Sequence, residues 1–314
     1  MSRTVLISGG AGFLGSHLSD HYLSRGYKVI AVDNLSTGSK RNIAHLESHK
    51  GFTFINADIV EELPGDVLGH SYEIILNMAS PASPPQYQRL SLETLRVGSE
   101  GTLRLLNLAR DNKARFFQAS TSEVYGDPLV HPQPETYRGS VNCYGPRAMY
   151  DEAKRYAEAL IYSYRERYPQ VSTCIGRFFN TYGPRMDADD GRVVSNLIVQ
   201  ALDNKPLTIY GDGNQTRSFC YVNDLIKGIS RLIDSVESEP INLGNPDEFT
   251  IRELAELILE LTGSNVDLIN KPLPVDDPLQ RKPDISVARE RLRWEPKVPL
   301  REGLSSTIDY FRQL

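Results

Sequence analysis

The stretch Thr4-Val5-Leu6-Ile7-Ser8-Gly9-Gly10-Ala11-Gly12-Phe13-Leu14-Gly15 decides how the rest of the chain is read. A short apolar run suited to a buried strand leads into glycines at 9, 12 and 15, and residues 15–25 then read as a helix that Gly26 ends. A glycine turn between strand and helix lets the backbone approach a pyrophosphate, while the helix N-terminus supplies amides and positive potential. The spacing is Gly-x-x-Gly-x-x-Gly rather than Gly-x-Gly-x-x-Gly. Residues 27–32 read as the second strand, and Asp33 follows it, about twenty residues beyond the loop. A carboxylate there accepts hydrogen bonds from an adenosine ribose and repels a 2'-phosphate, which points to NAD rather than NADP.

Working outward, 52–55, 73–78, 115–119 and 171–178 read as further strands, with helical patterns over 92–110 and 150–168 between them. Such alternation implies right-handed crossovers and an α/β, doubly wound parallel (Rossmann) sheet. After Phe179 the pattern changes. Helices are predicted over 193–203, 250–262 and 300–313, a strand over 207–210, and a proline-rich charged loop over 272–283. Residues 223–235 and 240–243 could return the chain to the sheet. The expected division is a cofactor domain of 1–179 plus about 218–245, and a smaller, discontinuous α/β substrate domain of about 180–217 plus 246–314.

The chain has 314 residues, 40% of them hydrophobic and 24% charged, which is ordinary for a globular protein with a sizeable core. A net charge of -5 gives no global field for nucleic acid, so any anionic ligand must be met by local arginines. Cys143, Cys174 and Cys220 lack metal-ligand spacing, so no metal is expected. Their odd number and a strand that already begins near residue 3, leaving no room for a leader, suggest a reducing, cytoplasmic setting. No apolar run approaches ~18 residues, so no membrane span is predicted.

The chemistry-bearing residues fall at strand ends. Phe13 and Leu14 in the loop, Asn34, Thr37 and Gly38 beyond Asp33, Asp58-Ile59 after the third strand, and Met78 and Ser80 after the fourth are the candidate cofactor contacts. Thr121, Ser122 and Glu123 follow the fifth strand. Tyr150 and Lys154 stand one helical turn apart, so an ammonium lies beside a phenol. A neighbouring cation favours phenolate and should lower the tyrosine from about 10 toward a general base.

Thr121, Tyr150 and Lys154 resemble the Ser/Thr-Tyr-Lys arrangement of the short-chain dehydrogenase/reductases, whose lysine also bonds the nicotinamide ribose. The resemblance becomes specific in residues 10–15, 32–34 and 120–128, and in Ala79-Ser80-Pro81-Ala82-Ser83-Pro84-Pro85. It extends through Gly145-Pro146-Arg147, residues 150–155, 179–185 and 190–196, Gln215-Thr216-Arg217, and 276–284. Together these stretches look like the UDP-glucuronate decarboxylases (UDP-xylose synthases). The resemblance implies NAD as cofactor, UDP-glucuronate as substrate and a homodimer. It gives Tyr150 the proton of the sugar's 4-hydroxyl, Thr121 the enolate oxygen, Ser122 the ring and Glu123 proton handling. A carboxylate facing the substrate's own needs a raised pKa or an intervening cation; by resemblance Arg281 is that cation, with a diphosphate clamp as its other reading.

Asn180, Arg192, Tyr210 and Arg217 map to positions that hold the uridine diphosphate, Arg96 to a substrate contact, and Arg185 to the cofactor. Dimer helices over 92–110 and 150–168 would present Leu103, Leu106, Ala153, Ala157, Leu160 and Ile161, or turn them toward the sheet. Two departures stand out: Gly98 where the family usually has asparagine, and Asn77 where histidine is frequent. Rival readings are a UDP-glucuronate 4-epimerase, another nucleotide-sugar epimerase or dehydratase, and a non-catalytic NAD-sensing or RNA-binding relative. Ser122, where dehydratases carry an aspartate, argues against dehydration.

Overall fold

The computed structural model describes residues 3–272 and 280–314, so part of the proline-rich loop, including Asp276 to Leu279, lies outside the described residues. In chain order the first half comprises β1 (Thr4–Ser8), α1 (Phe13–Ser24), β2 (Lys28–Asp33), β3 (Phe52–Asn56), α2 (Gly65–Leu68), β4 (Ile74–Asn77), α3 (Pro84–Arg89), α4 (Ser91–Arg96), α5 (Thr102–Asn112), β5 (Arg115–Thr121), α6 (Ala148–Arg167) and β6 (Thr173–Phe178). The second half comprises β7 (Thr181–Tyr182), α7 (Val193–Leu202), β8 (Leu207–Tyr210), β9 (Thr216–Ser218), β10 (Cys220–Tyr221), α8 (Val222–Asp234), β11 (Pro240–Leu243), β12 (Glu248–Thr250), α9 (Ile251–Thr262), β13 (Leu268–Lys271), β14 (Gln280–Arg281), α10 (Ser286–Leu292) and α11 (Leu300–Phe311).

Seven strands form one parallel sheet in the order β11-β6-β5-β4-β1-β2-β3. Every residue of β1 is buried, as expected of a strand covered by helices on both faces. Side chains alternate between those faces: Val5 and Ile7 enter one apolar core, Leu6 the other. The order reverses between β1 and β4, and the crevice at such a switch point is where this architecture places its ligand. The predicted doubly wound sheet is therefore observed, and β11 does return the chain to its edge beside β6.

Smaller pairings carry the far side of the crevice. β9 pairs antiparallel with β12 and parallel with β14, which sets Arg281 beside Arg217 in register. β8 pairs with β13, and β7 with β10. Thr250 caps α9 through a reciprocal box with Glu253, which explains why that helix begins where it does.

Two sequence expectations need correction. The helix over 92–110 is not one regular helix: α4 and α5 are joined by a π-helical turn at Val97–Gly101. Of the six residues nominated for a dimer face, Leu106, Ala153, Ala157 and Ile161 are buried inside the subunit. Leu103 is exposed as nominated, and the other exposed large apolar side chains of these helices are Leu92, Leu95, Tyr156 and Tyr162. Period alone cannot say which of two apolar stripes faces the sheet. Among the described residues no helix is long and apolar enough to cross a membrane.

Candidate active site

Glycine is required in the first turn by contact as well as by conformation. Gly9 has φ +68°, and a Cβ on it would lie 2.9 Å from the Ala79 backbone. A Cβ on Gly15 would sit 2.0 Å from the Gly9 carbonyl oxygen. The Gly10 amide donates to the Val32 carbonyl at 3.2 Å, tying the loop to β2. α1 begins at Phe13 with Gly12 as its N-cap, and no side chain caps it. Its first amides are thus presented to the cleft, the arrangement that suits a pyrophosphate.

Asp33 closes the other side of this cradle. Its carboxylate accepts the Ala11 amide at 3.0 Å and the Leu35 amide at 2.8 Å. Burial raises its pKa, and those two amides oppose the rise. Gly38 comes so near that a Cβ there would lie 2.8 Å from a carboxylate oxygen. Each carboxylate oxygen retains a further lone pair for a ribose hydroxyl. Asn34 donates to Asp58 at 2.8 Å, locking the ends of β2 and β3 together. An uncapped helix start, a glycine-walled turn and a carboxylate at the end of β2 fit a dinucleotide.

At the end of β5, the Thr121 hydroxyl accepts the Glu123 amide at 3.2 Å and caps a 3-10 turn over Ser122–Tyr125. Tyr150 and Lys154 project from α6 into the same space, both buried. Lys154 Nζ donates to the Ala119 carbonyl at 3.0 Å and lies 5.6 Å from the Tyr150 ring centre. The sequence expectation of a phenol lowered by its lysine is overturned here. Burial pushes Tyr150 up to about 12, with the Thr121 side chain opposing it, and burial brings Lys154 down to about 8. Tyr87 from α3 stacks flat on Tyr150, with centroids 5.0 Å apart and planes 9° apart.

Glu123 occupies a cation clamp. Arg147 Nη2 donates to one carboxylate oxygen at 3.0 Å, and Arg281 Nη1 donates to the other. Arg281 Nη2 also donates to the Gly126 carbonyl at 2.9 Å, while its Nε is buried without a hydrogen-bond partner among the described residues. Burial would raise Glu123, but Arg281 and Arg147 hold it well below the usual carboxylate range. Glu123 is therefore a carboxylate held on the ionised side between two guanidiniums.

The nominated ligand arginines differ in how they are held. Arg217 is buried and donates to the Thr216 carbonyl at 2.9 Å. Arg192 is braced by Asp190 at 2.7 Å, and its guanidinium lies 5.8 Å from the Phe13 ring centre. Arg96 pairs with Glu61 and Glu100 on the surface, and Arg185 pairs with Asp20 at 2.6 Å. Tyr210 stands half-exposed at the cleft, where Asn180 also lies.

All the nominated residues, from Gly9 to Arg281, line a single cleft of about 1010 Å³. That volume is at the top of the range for one small ligand and leaves room for a dinucleotide beside a second molecule. Sequence reasoning did not nominate Arg147, Asp151 or Tyr87. Arg147 was visible in the Gly-Pro-Arg stretch, but its partner lies 24 positions away, beyond the reach of any periodicity. Asn77 proves to be a buried hub: Ser8 donates to it at 2.9 Å, and its amide donates to Thr102 at 3.1 Å and Gln118 at 2.9 Å.

Fold and site together define a dinucleotide-dependent enzyme built around a buried tyrosine-lysine pair. The chain belongs to the NAD dependent epimerase/dehydratase family, which matches residues 5–244. A Xenopus tropicalis relative, UDP-glucuronic acid decarboxylase 1, is 51% identical over 311 residues, covering 99% of this chain and 72% of the relative. The Arabidopsis thaliana protein of the same name is 50% identical over 308 residues, covering 98% of this chain and 69% of the relative. Among solved structures, the UDP-glucuronic acid 4-epimerase of Bacillus cereus in complex with NAD matches with a TM-score of 0.87 at 29% identity, over 99% of each chain.

Proposed function

We propose that this chain converts UDP-glucuronate to UDP-xylose and carbon dioxide, with NAD regenerated in the site. The observation that carries this reading is identity of about half to UDP-glucuronic acid decarboxylases along nearly the whole chain. The cradle of Gly9, Gly12, Gly15 and Asp33 would hold NAD, which when bound would supply a hydride acceptor for carbon 4 of the sugar and a donor for its later reduction.

Tyr150 takes the 4-hydroxyl proton as that carbon is oxidised, and Thr121 opposes the burial cost of the phenolate. In the 4-keto sugar the carbonyl lies beta to the carboxylate. The bond from carbon 5 to the carboxyl carbon breaks, and its electron pair delocalises into the carbonyl. Thr121 and protonated Tyr150 then donate to the resulting enolate oxygen; a proton from solvent adds at carbon 5, and Tyr150 gives its proton back to the carbon-4 oxygen as that carbon is reduced. Ser122 positions the ring, and Glu123 with Arg281 handles the carboxylate side. Arg192, Arg217, Tyr210, Asn180 and Arg96 serve the uridine diphosphate end; paired guanidinium donors suit its phosphates. Residues 1–179 plus about 218–245 form the cofactor half, and the remainder the UDP-sugar half.

We also propose a homodimer through α4–α6, supported by exposed Leu92, Leu95, Leu103, Tyr156 and Tyr162, in a reducing cytoplasm that keeps the cysteines free. Sedimentation at micromolar concentration tests the assembly, and a monomer there counts against it. The activity is tested by supplying purified protein with NAD+ and UDP-glucuronate, trapping carbon dioxide and weighing the nucleotide product. Loss of one carbon dioxide per sugar supports decarboxylation; UDP-galacturonate without gas assigns 4-epimerisation instead. Tyr150→Phe should lower turnover by about 10²- to 10⁴-fold.

A further inference from the structure

We propose that Glu158 and Arg177 are positioning residues that act through Tyr150: their fork fixes where α6 sits along β5, and with it where the phenol stands against Thr121 and the sugar. The proposal deepens the reading above and rests on Tyr150 as the proton acceptor. Tyr150, Lys154 and Glu158 follow one another at four-residue steps on α6, so they share one face of the helix. The first two reach the cleft, whereas neither Glu158 nor Arg177 lines it. Their side chains are only 13% and 12% exposed. Arg177, at the end of β6, donates through Nε at 3.0 Å and Nη2 at 2.7 Å, one bond to each Glu158 oxygen. Ser120 on β5 donates to the same carboxylate at 2.6 Å. A paired, charge-assisted fork of this kind is both strong and directional.

Arg177 is itself pinned. Its Nη1 donates to the Tyr125 hydroxyl and to the Glu135 carbonyl, both at 3.0 Å. Tyr125 donates onward to Asn242 on β11 at 2.7 Å. The guanidinium is therefore a post fixed to the sheet, and a sliding α6 must break the fork rather than drag it along.

The remaining contacts of this face grip less. Ala153 and Ala157 are buried beside the catalytic pair, but methyl groups pack without preferred direction. Ile161 and Tyr164 press the far end of α6 into the core under the sheet, again through apolar contact. Lys154 gives one bond, to the Ala119 carbonyl at 3.0 Å, from a flexible four-carbon stem. Residues 119, 120 and 121 of β5 thus meet Lys154, Glu158 and Tyr150 in turn, and only the middle contact is ion-paired and two-pronged. Placement matters at this scale, because a shift of about 1 Å at a reacting group can cost about 10²-fold in rate.

The test follows turnover of UDP-glucuronate in NAD-saturated protein, together with the amount of NAD bound and the Kd for UDP-glucuronate. Arg177→Lys keeps the charge beside Glu158 but replaces the planar fork with a single point of attachment. It should lower kcat by about 10- to 100-fold, with NAD stoichiometry full and the UDP-glucuronate Kd moved by no more than about twofold. Should that variant fail to fold, Glu158→Gln keeps the side-chain shape and one acceptor oxygen, and carries the same expectations. The deciding arm places the substitution in Tyr150→Phe protein. With the phenolic oxygen gone its placement no longer counts, so the further loss should be no more than about threefold. Equal losses in the two backgrounds would mean a merely structural brace and overturn the proposal. An unchanged kcat overturns it too, as does loss of bound NAD or of UDP-glucuronate affinity in step with kcat. Absence of carbon dioxide from the unmodified enzyme sinks the decarboxylase reading, and a Tyr150→Phe protein as fast as its parent sinks the role of the phenol; neither result resembles equal losses in two backgrounds.

Discussion

Lys154 shows how burial reshapes a pair that local spacing describes only in part. Its place one turn from Tyr150 is legible in the sequence, but its depth is not, because depth comes from β5, α3 and α4 packing around α6. With the folded pKa brought down to about 8 by burial, the folded state binds protons less readily than the unfolded chain. Stability should therefore rise as pH climbs from about 8 toward the ordinary lysine value, and be lowest below that window. Lys154→Met removes the buried ammonium at the loss of its bond to the Ala119 carbonyl. It is expected to abolish turnover yet stabilise the ligand-free protein by about 1–2 kcal/mol at pH 7, with the gain shrinking above pH 8. Thermal melts of both proteins across pH check this; a variant less stable than its parent at pH 7 shows that the lysine is solvated or paired in solution.

At the scale of elements, the strands of the main sheet and most helices were legible because their periods are local, within two or three residues of the observed ends, whereas the short strands β7, β9, β10, β12, β13 and β14 were not. What escaped was any feature set by two elements at once. Gly98 is the clearest case. Read in sequence it is a helix-weakening departure; in the fold it lies in the π-helical turn, where a Cβ would come 2.7 Å from the Ala153 Cβ and 2.9 Å from the Ala153 carbonyl oxygen. Ala153 sits between Tyr150 and Lys154, so any side chain at 98 pushes on the catalytic stretch of α6. Helix propensity alone would make Gly98→Ala a gain of about 1 kcal/mol. Overpacking costs about 1–3 kcal/mol and should win. The expected result is net destabilisation and a lower kcat with NAD affinity retained, partly rescued by adding Ala153→Gly, which relieves the Cβ contact but not the carbonyl one. Chemical denaturation and steady-state kinetics of both variants decide it, and a more stable Gly98→Ala protein refutes the packing account. Asn77 taught the same lesson, since its worth comes from β1, β5 and α5 rather than from its neighbours in sequence.

Across the whole molecule, the pair between Glu123 and Arg281 joins the end of β5 to β14, over 158 positions of chain. The resemblance placed both residues in the site, but their pairing and the part played by Arg147 come from the way β14 is laid beside β9. Arg281 is 3% exposed, so removing either partner leaves a buried charge poorly matched. Arg281→Met should cost about 2–4 kcal/mol, somewhat less than a fully orphaned pair because Arg147 still holds Glu123. Glu123→Gln leaves Arg147 and Arg281 to face each other as like charges and should also destabilise. If the two act as one unit, the double variant will be more stable than the sum of the single losses allows, with a coupling of at least about 1.5 kcal/mol. The acid limb gives an independent reading. Because Arg281 and Arg147 hold Glu123 below the usual carboxylate range, its contribution is present above the ordinary glutamate pKa and lost as pH falls through that value and below. The parent should therefore lose stability more steeply below about pH 5 than the double variant does. Additive single losses with identical acid limbs would mean that the two halves of the cleft are held together by something other than this pair.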